Sequence, residues 1–215
     1  MKIGIIELIV DTVSQNWVNS LYTAHFRRQF YGIVPQAVSV WCRELGHQVF
    51  YATSYGQKDP TSLIPDDLDV VFISAFTQAS ALAYALAKLY RREKTLTVIG
   101  GPHATSFPED CSRFFDIVVK ECDKDLIHKI LRKEFDPPVI VSTDRLLTDL
   151  PTVEERMPEI TKAAFSGDKP TLTSFVPILT SVGCPYRCDF CMDWKNKYIS
   201  LPRERLEADL RFLSR

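Results

Sequence analysis

Residues 69–103 read DVVFISAFTQASALAYALAKLYRREKTLTVIGGPH, and their three-part texture decides the fold. The run Asp69–Ser74 is apolar and rich in Val, Ile and Phe, as a strand buried on both faces is. In Gln78–Arg92 the residues Ala79, Leu82, Ala83, Leu86, Leu89 and Tyr90 recur at helical spacing. A second buried-strand run, Leu96–Ile99, follows and ends on Gly100-Gly-Pro-His103. Strand, helix, strand at this spacing is a crossover unit with parallel strands. The same alternation extends outward. Strand-like runs occur at Lys2–Val10, Gln48–Thr53 and Asp116–Val119. Val34, Ala37, Val38, Trp41 and Leu45 form a helical stripe that stops at Gly46. Asp123 is placed to cap a helix carrying Leu126, Ile127, Ile130 and Leu131.

Residues 1–135 therefore form an α/β domain, a flavodoxin- or Rossmann-like parallel sheet with helices on both faces. Sheets of this kind take ligands outside the carboxyl ends of their strands, which points to the segments after Ser74 and Gly100. The 215 residues are 46% hydrophobic and 25% charged, with a formal net charge of −1. That composition excludes a disordered or fibrous chain, and its balance gives no footprint for nucleic acid or anionic lipid. The apolar run Ile3–Val10 is broken by Glu7 and is too short to span a bilayer. It also lacks the flanks of a signal peptide, so the expectation is a soluble, cytoplasmic protein. Between 136 and 173, Pro137, Pro138, Pro151, Pro158 and Pro170 suggest a linker, with a short strand at Val139–Ser142. A strand-like run, Ser174–Ser181, then enters a cysteine cluster. Beyond it, Ser200 and Pro202 suit the start of a helix striped by Leu206, Leu210 and Leu213.

Of six cysteines, Cys42, Cys111 and Cys122 are scattered, while Cys184, Cys188 and Cys191 fall within GCPYRCDFC. Three thiols at C-x3-C-x2-C form a poor disulfide framework, but one loop can wrap them around zinc or an iron–sulfur centre. A structural zinc site needs a fourth ligand, and no Cys or His follows Cys191. A zinc-stabilised interaction protein stands as the alternative. Arg187 and Asp189 read as solvated charges on the loop.

GCPYRCDFC resembles the signature of the radical S-adenosylmethionine (radical SAM) enzymes, with Phe190 as the aromatic residue before the last cysteine. The resemblance implies a 4Fe-4S cluster on Cys184, Cys188 and Cys191, with S-adenosylmethionine on its open iron and Phe190 beside the adenine. It further implies one-electron cleavage to a 5′-deoxyadenosyl radical acting on a small organic substrate, and an electron donor such as flavodoxin or ferredoxin.

With GGPHATSFPED upstream, the layout resembles cobalamin-binding domains fused ahead of radical SAM barrels, across residues 1–135 and 174–215. Ser74, Gly100 and Gly101 would then line the pocket for the cobalamin nucleotide tail, and the reaction would be a C-methylation. Two departures qualify the likeness. Asp11-Thr-Val13-Ser-Gln-Asn16 lacks the D-x-H-x-x-G that places a cobalt-ligating histidine, and His25 lies further along. Glu121-Cys-Asp123 has a cysteine where a glycine often stands between two acids. A phospho-receiver domain shares this fold, and Glu7 and Asp11 mimic its acidic pair, but Ser74-Ala-Phe76 offers no acceptor aspartate. The 42 residues from 174 onward hold only the first strand, cluster loop and first helix of a barrel, which takes roughly 200 residues. A fragment of a longer enzyme, or a corrinoid-binding module without catalytic activity, is therefore expected.

Overall fold

The computed structural model describes residues 1–9, 31–56, 58–166, 175–191 and 197–215. Asp11, Val13, Asn16 and His25 lie outside them. Six strands form one parallel sheet: β1 (Lys2–Leu8), β2 (Gln48–Ser54), β3 (Val70–Ala75), β4 (Leu96–Gly100), β5 (Ile117–Val119) and β6 (Val139–Val141). Their order is β2-β1-β3-β4-β5-β6, the doubly wound arrangement expected. After β2 the chain returns to the other side of β1, so the topology reverses between β1 and β3.

Period-two alternation sorts the strand side chains onto two cores. Ile3, Ile5, Val70, Phe72 and Val98 face α1 (Ile33–Glu44) and residues of the later helix Lys124–Leu131. Ile6, Leu8, Val71, Ile73 and Ile99 face α2 (Ser80–Arg92) and the short helices α3 (Pro102–Ser106) and α4 (Pro108–Cys111). In α2 the buried positions are Ala83, Leu86, Ala87 and Tyr90, while Leu89 of the expected stripe is exposed. Asp123 caps α5 (Lys124–Leu131) as expected, its carboxylate accepting from the Leu126 amide at 2.8 Å.

The stretch expected as a proline-punctuated linker holds β6 and also α6 (Val153–Thr161), running on into a π-helical turn at Lys162–Ser166. A capping box starts α6: the Thr152 hydroxyl accepts from the Glu155 amide, and the Glu155 carboxylate accepts from the Thr152 amide. The signal Thr152-x-x-Glu155 is in the sequence, but the prolines on either side obscure it. Helix α6 covers the outer side of α1, which is why Pro35 through Cys42 are all buried instead of one stripe. The contact is polar, with Gln36, Ser39, Arg156 and Glu159 all buried. Ser39 and Arg43 of α1 donate to Glu159, at 2.6 Å and 3.1–3.2 Å. Arg156, 2% exposed, donates to Gln36 Oε1 at 2.8 Å, the Pro151 carbonyl at 3.1 Å and the Pro177 carbonyl at 3.0 Å.

The carboxy-terminal segment departs from expectation in two ways. The strand entering the cysteine loop is only β7 (Ser181–Val182), and it pairs antiparallel with β8 (Ile199–Ser200). Ser200 is therefore in a ladder and caps nothing; α7 (Arg203–Leu213) has Pro202 at its cap position. Helix α7 lies against α6, but Leu210 and Leu213 of the leucine stripe are exposed. Contact is made by Phe212, which joins the α1-side core, and by buried Asp209, which accepts from the Val153 amide at 2.8 Å. A carboxylate there satisfies an otherwise orphaned amino-terminal amide of α6.

Replacing Arg156 with Ala strands Gln36 and two carbonyls in a buried interface, so a loss of about 3 kcal/mol is expected. Urea denaturation should show this as a lower midpoint at unchanged slope. Arg145→Ala, at an exposed ion pair with Asp125, should move it by less than about 0.5 kcal/mol.

Candidate functional site

Parallel registration sets one row of residues across the carboxyl edge of the sheet. Thr53 pairs with Glu7, Glu7 with Ser74, and Ser74 with Gly100. Ser74 and Gly100, expected on a common edge, are direct neighbours. A cleft of about 480 Å³ opens over this row at the point where the topology reverses. Its floor comes from Ile5, Phe72 and Val98, and its sides from the first turn of α1 and from Ile127. Ser74, Gly100, Gly101, Thr105, Lys120 and Cys122 border it. The volume and the apolar lining with few polar groups are those of small-molecule sites.

The two glycines serve different ends. Gly101 has φ +89°, and a Cβ on it would lie 2.8 Å from Ser74 Oγ and 3.2 Å from the Ala75 backbone. The unliganded fold already requires glycine there. A Cβ on Gly100 would meet nothing nearer than the Val119 carbonyl at 3.8 Å. The space over Gly100 belongs to the cleft, and it is what a ligand approaching the backbone would use.

Glu7 lines the cleft at 2% exposure and was not among the expected site residues. Its Oε1 accepts from the Gly32 amide at 2.6 Å, just before α1, and the Tyr51 hydroxyl stands 3.5 Å from Oε2. Burial pushes its carboxyl up to about 7, against the pull of those two donors toward the charged form. The signal was a lone acid on the inward face of an apolar strand. Cys122 does reach the cleft margin, as the sequence suggests, with burial raising its thiol to about 12. His103 turns away from the cleft. Its Nε2 lies 2.6 Å from the Tyr84 hydroxyl on α2, and that hydroxyl donates to Asp110 at 2.7 Å.

Cys184, Cys188 and Cys191 are free, half-buried thiols on the loop after β7. Arg187 and Asp189 are exposed, as expected, and Phe190 is 91% exposed. Among the described residues no three His, Cys, Asp or Glu side chains stand close enough to hold a metal ion. The donor set suits a thiolate-bound cluster, but this structure does not gather it. No described helix is long and apolar enough to cross a membrane.

Gly101→Ala should destabilise the fold by more than about 1 kcal/mol, while Gly100→Ala should leave the urea midpoint nearly unchanged. Glu7 predicts a pH effect. Between about pH 4.5 and 7 the folded chain holds more protons on Glu7 than the unfolded chain does. Its contribution to stability therefore falls as pH rises through that window and levels off above it. Glu7→Gln should remove this component, worth on the order of 3 kcal/mol. Urea midpoints of the two proteins measured across the window check it.

No protein-family model matches the chain. Over an alignment of 138 residues it is 30% identical to the bacteriochlorophyllide d C-8(2)-methyltransferase of Chlorobaculum tepidum. The match takes in 59% of this chain and 28% of that enzyme, so the chain spans little more than a quarter of its curated relative.

Proposed function

We propose that the chain carries the corrinoid-binding domain and cluster loop of a radical SAM enzyme that methylates carbon in an organic substrate. The observation that carries the reading is the apolar cleft with Ser74 and Gly100 side by side at its head. Two further facts support it. The same chain holds three free thiols at C-x3-C-x2-C, and the relative it resembles is named a C-methyltransferase.

Each part of the site has a distinct task. The apolar walls would bury the nucleotide tail of cobalamin and exclude water from it. The Ser74 hydroxyl would hydrogen-bond the tail where it enters, and the bare backbone at Gly100 would let it approach closely. Cys184, Cys188 and Cys191 would hold the cluster as thiolates, which requires the loop to close around it. Phe190, now exposed, is free to cover an adenine ring. When bound, the cluster with S-adenosylmethionine supplies one-electron cleavage of a sulfonium, and the corrinoid supplies methyl carriage. The electron would come from a small donor protein, a flavodoxin or ferredoxin. A second reading is a corrinoid-binding module that does no chemistry, which would use the cleft and leave the three free thiols without a cluster.

Anaerobic reconstitution with iron and sulfide separates the readings. The chain should take up iron and sulfide and gain a broad blue absorption, lost in the Cys184→Ala, Cys188→Ala, Cys191→Ala triple variant. Hydroxocobalamin should co-elute with the chain on gel filtration, and with Gly100→Ala much more weakly. Cobalamin uptake without cluster formation would favour the second reading; zinc uptake without iron would overturn the cluster.

A further inference from the structure

The cleft contains one feature that an apolar binding slot does not require. Glu7 sits in its lining, almost wholly buried, with no cation paired to it among the described residues. Burying a carboxyl beside Ile5 and Phe72 costs free energy unless its hydrogen-bonding capacity is used. One oxygen is used well, by the Gly32 amide at 2.6 Å. Among the described residues the other has only the Tyr51 hydroxyl, at the 3.5 Å limit of a hydrogen bond. That hydroxyl is shared, since the Thr53 hydroxyl donates to it at 3.3 Å.

We propose that Glu7 is a specificity-determining residue of the cleft, donating a hydrogen bond as a neutral acid to a ring nitrogen of the ligand's heteroaromatic base. This rests on the corrinoid reading and concerns the base at the end of its nucleotide tail. Three observations lead there. The lining is apolar and suits a flat, largely unsubstituted ring system. The Gly32 amide occupies Oε1, which leaves the proton to Oε2. The carboxyl retains its proton to near neutrality, and a neutral ligand that expels further water from the cleft strengthens that preference. A neutral acid is a donor, and its natural complement in an apolar slot is an uncharged acceptor such as an sp2 ring nitrogen. The arrangement rejects a tail of the same shape without that acceptor, because the acid proton would then be left unpaired.

Two other titratable groups near Glu7, among the described residues, are shifted well above its pH window. Tyr51 on β2 is held far above neutrality by burial, and Cys122 beyond β5 is pushed up to about 12. Lys120 and Glu121 lie along the β5 margin, and the first turn of α1 has no acidic residue.

The test compares cobalamin with cobinamide, the same corrin without the nucleotide tail, by absorbance titration and calorimetry. Wild-type chain should bind cobalamin more tightly than cobinamide. Above about pH 7 its cobalamin affinity should fall by up to about tenfold per pH unit. Glu7→Gln, which still offers N–H donors, should bind within a few-fold of wild type and show no such decline. Glu7→Leu should lose at least tenfold in cobalamin affinity and nothing in cobinamide affinity. Free 5,6-dimethylbenzimidazole should bind the wild type, and the hydrocarbon 5,6-dimethylindane much more weakly. Wild-type binding that is equal for the two corrinoids, or that tightens as pH rises, would overturn the role of Glu7 while leaving the corrinoid reading in place. So would equal losses for both corrinoids in Glu7→Leu. Binding of neither corrinoid by the wild type would overturn both.

Discussion

Backbone pairing of β1 with β2 on one side and β3 on the other is the constraint on which the rest of the molecule depends. Because all these pairings are parallel and unbroken, a residue's place along its strand fixes both the face it serves and its level in the sheet. Glu7, Ser74 and Gly100 come from segments separated by long stretches of chain, yet they stand side by side because each lies at the same register level. A one-residue slip would send Glu7 and Ser74 into the opposite core, among Ile6, Ile73 and Ile99. The row of residues at the carboxyl edge follows from the sheet register itself.

The same geometry explains how much could be read beforehand. Buried parallel strands appear in sequence as short Val- and Ile-rich runs, and the helices between them show clear stripes, so the sheet and its carboxyl edge were legible. Ser74, Gly100 and Gly101 follow from the resemblance to cobalamin-binding domains, with the ends of the third and fourth strands marking their places. Glu7 was read only as an acid near the first strand. Its role depends on an inward face and on the Gly32 amide, both of which require the three-dimensional register. Helix α6 is hidden in the sequence for a different reason. Prolines at 151 and 158 suppress the helical pattern, while the capping box of Thr152 and Glu155, with Arg156 and Glu159 paired to α1, restores the helix through contacts remote in sequence. The leucine stripe of α7 marks an apolar face without saying what covers it; Asp209 and Phe212 make the contacts, while Leu210 and Leu213 stay exposed.

The polar layer between α1 and α6 ties the two chemically interesting parts of the chain together. Gln36 lies one turn inside α1, whose first residues border the cleft, and it accepts from Arg156. Arg156 also holds the Pro177 carbonyl, four residues before the strand that leads into the cysteine loop. Val176, Ile178 and Leu179 pack against the same core that floors the cleft. One buried guanidinium thus fixes the entry to the cysteine loop relative to the helix that walls the cleft.

An arginine suits that position for a physical reason. Its planar donors reach three acceptors on three segments at once, and a well-packed apolar residue could not do so without leaving Gln36 and two carbonyls unpaired. Apolar packing alone tolerates sliding of one element over another; hydrogen bonds in a dry interface do not, because a displaced donor finds no water to replace its partner. A site that passes chemistry between a thiol-bound cluster and a corrinoid would need that fixed relation more than it needs added stability. Gln36, Ser39, Arg156 and Glu159, which form the layer, lie outside the cleft's lining, where Ser74 and Glu7 are polar side chains.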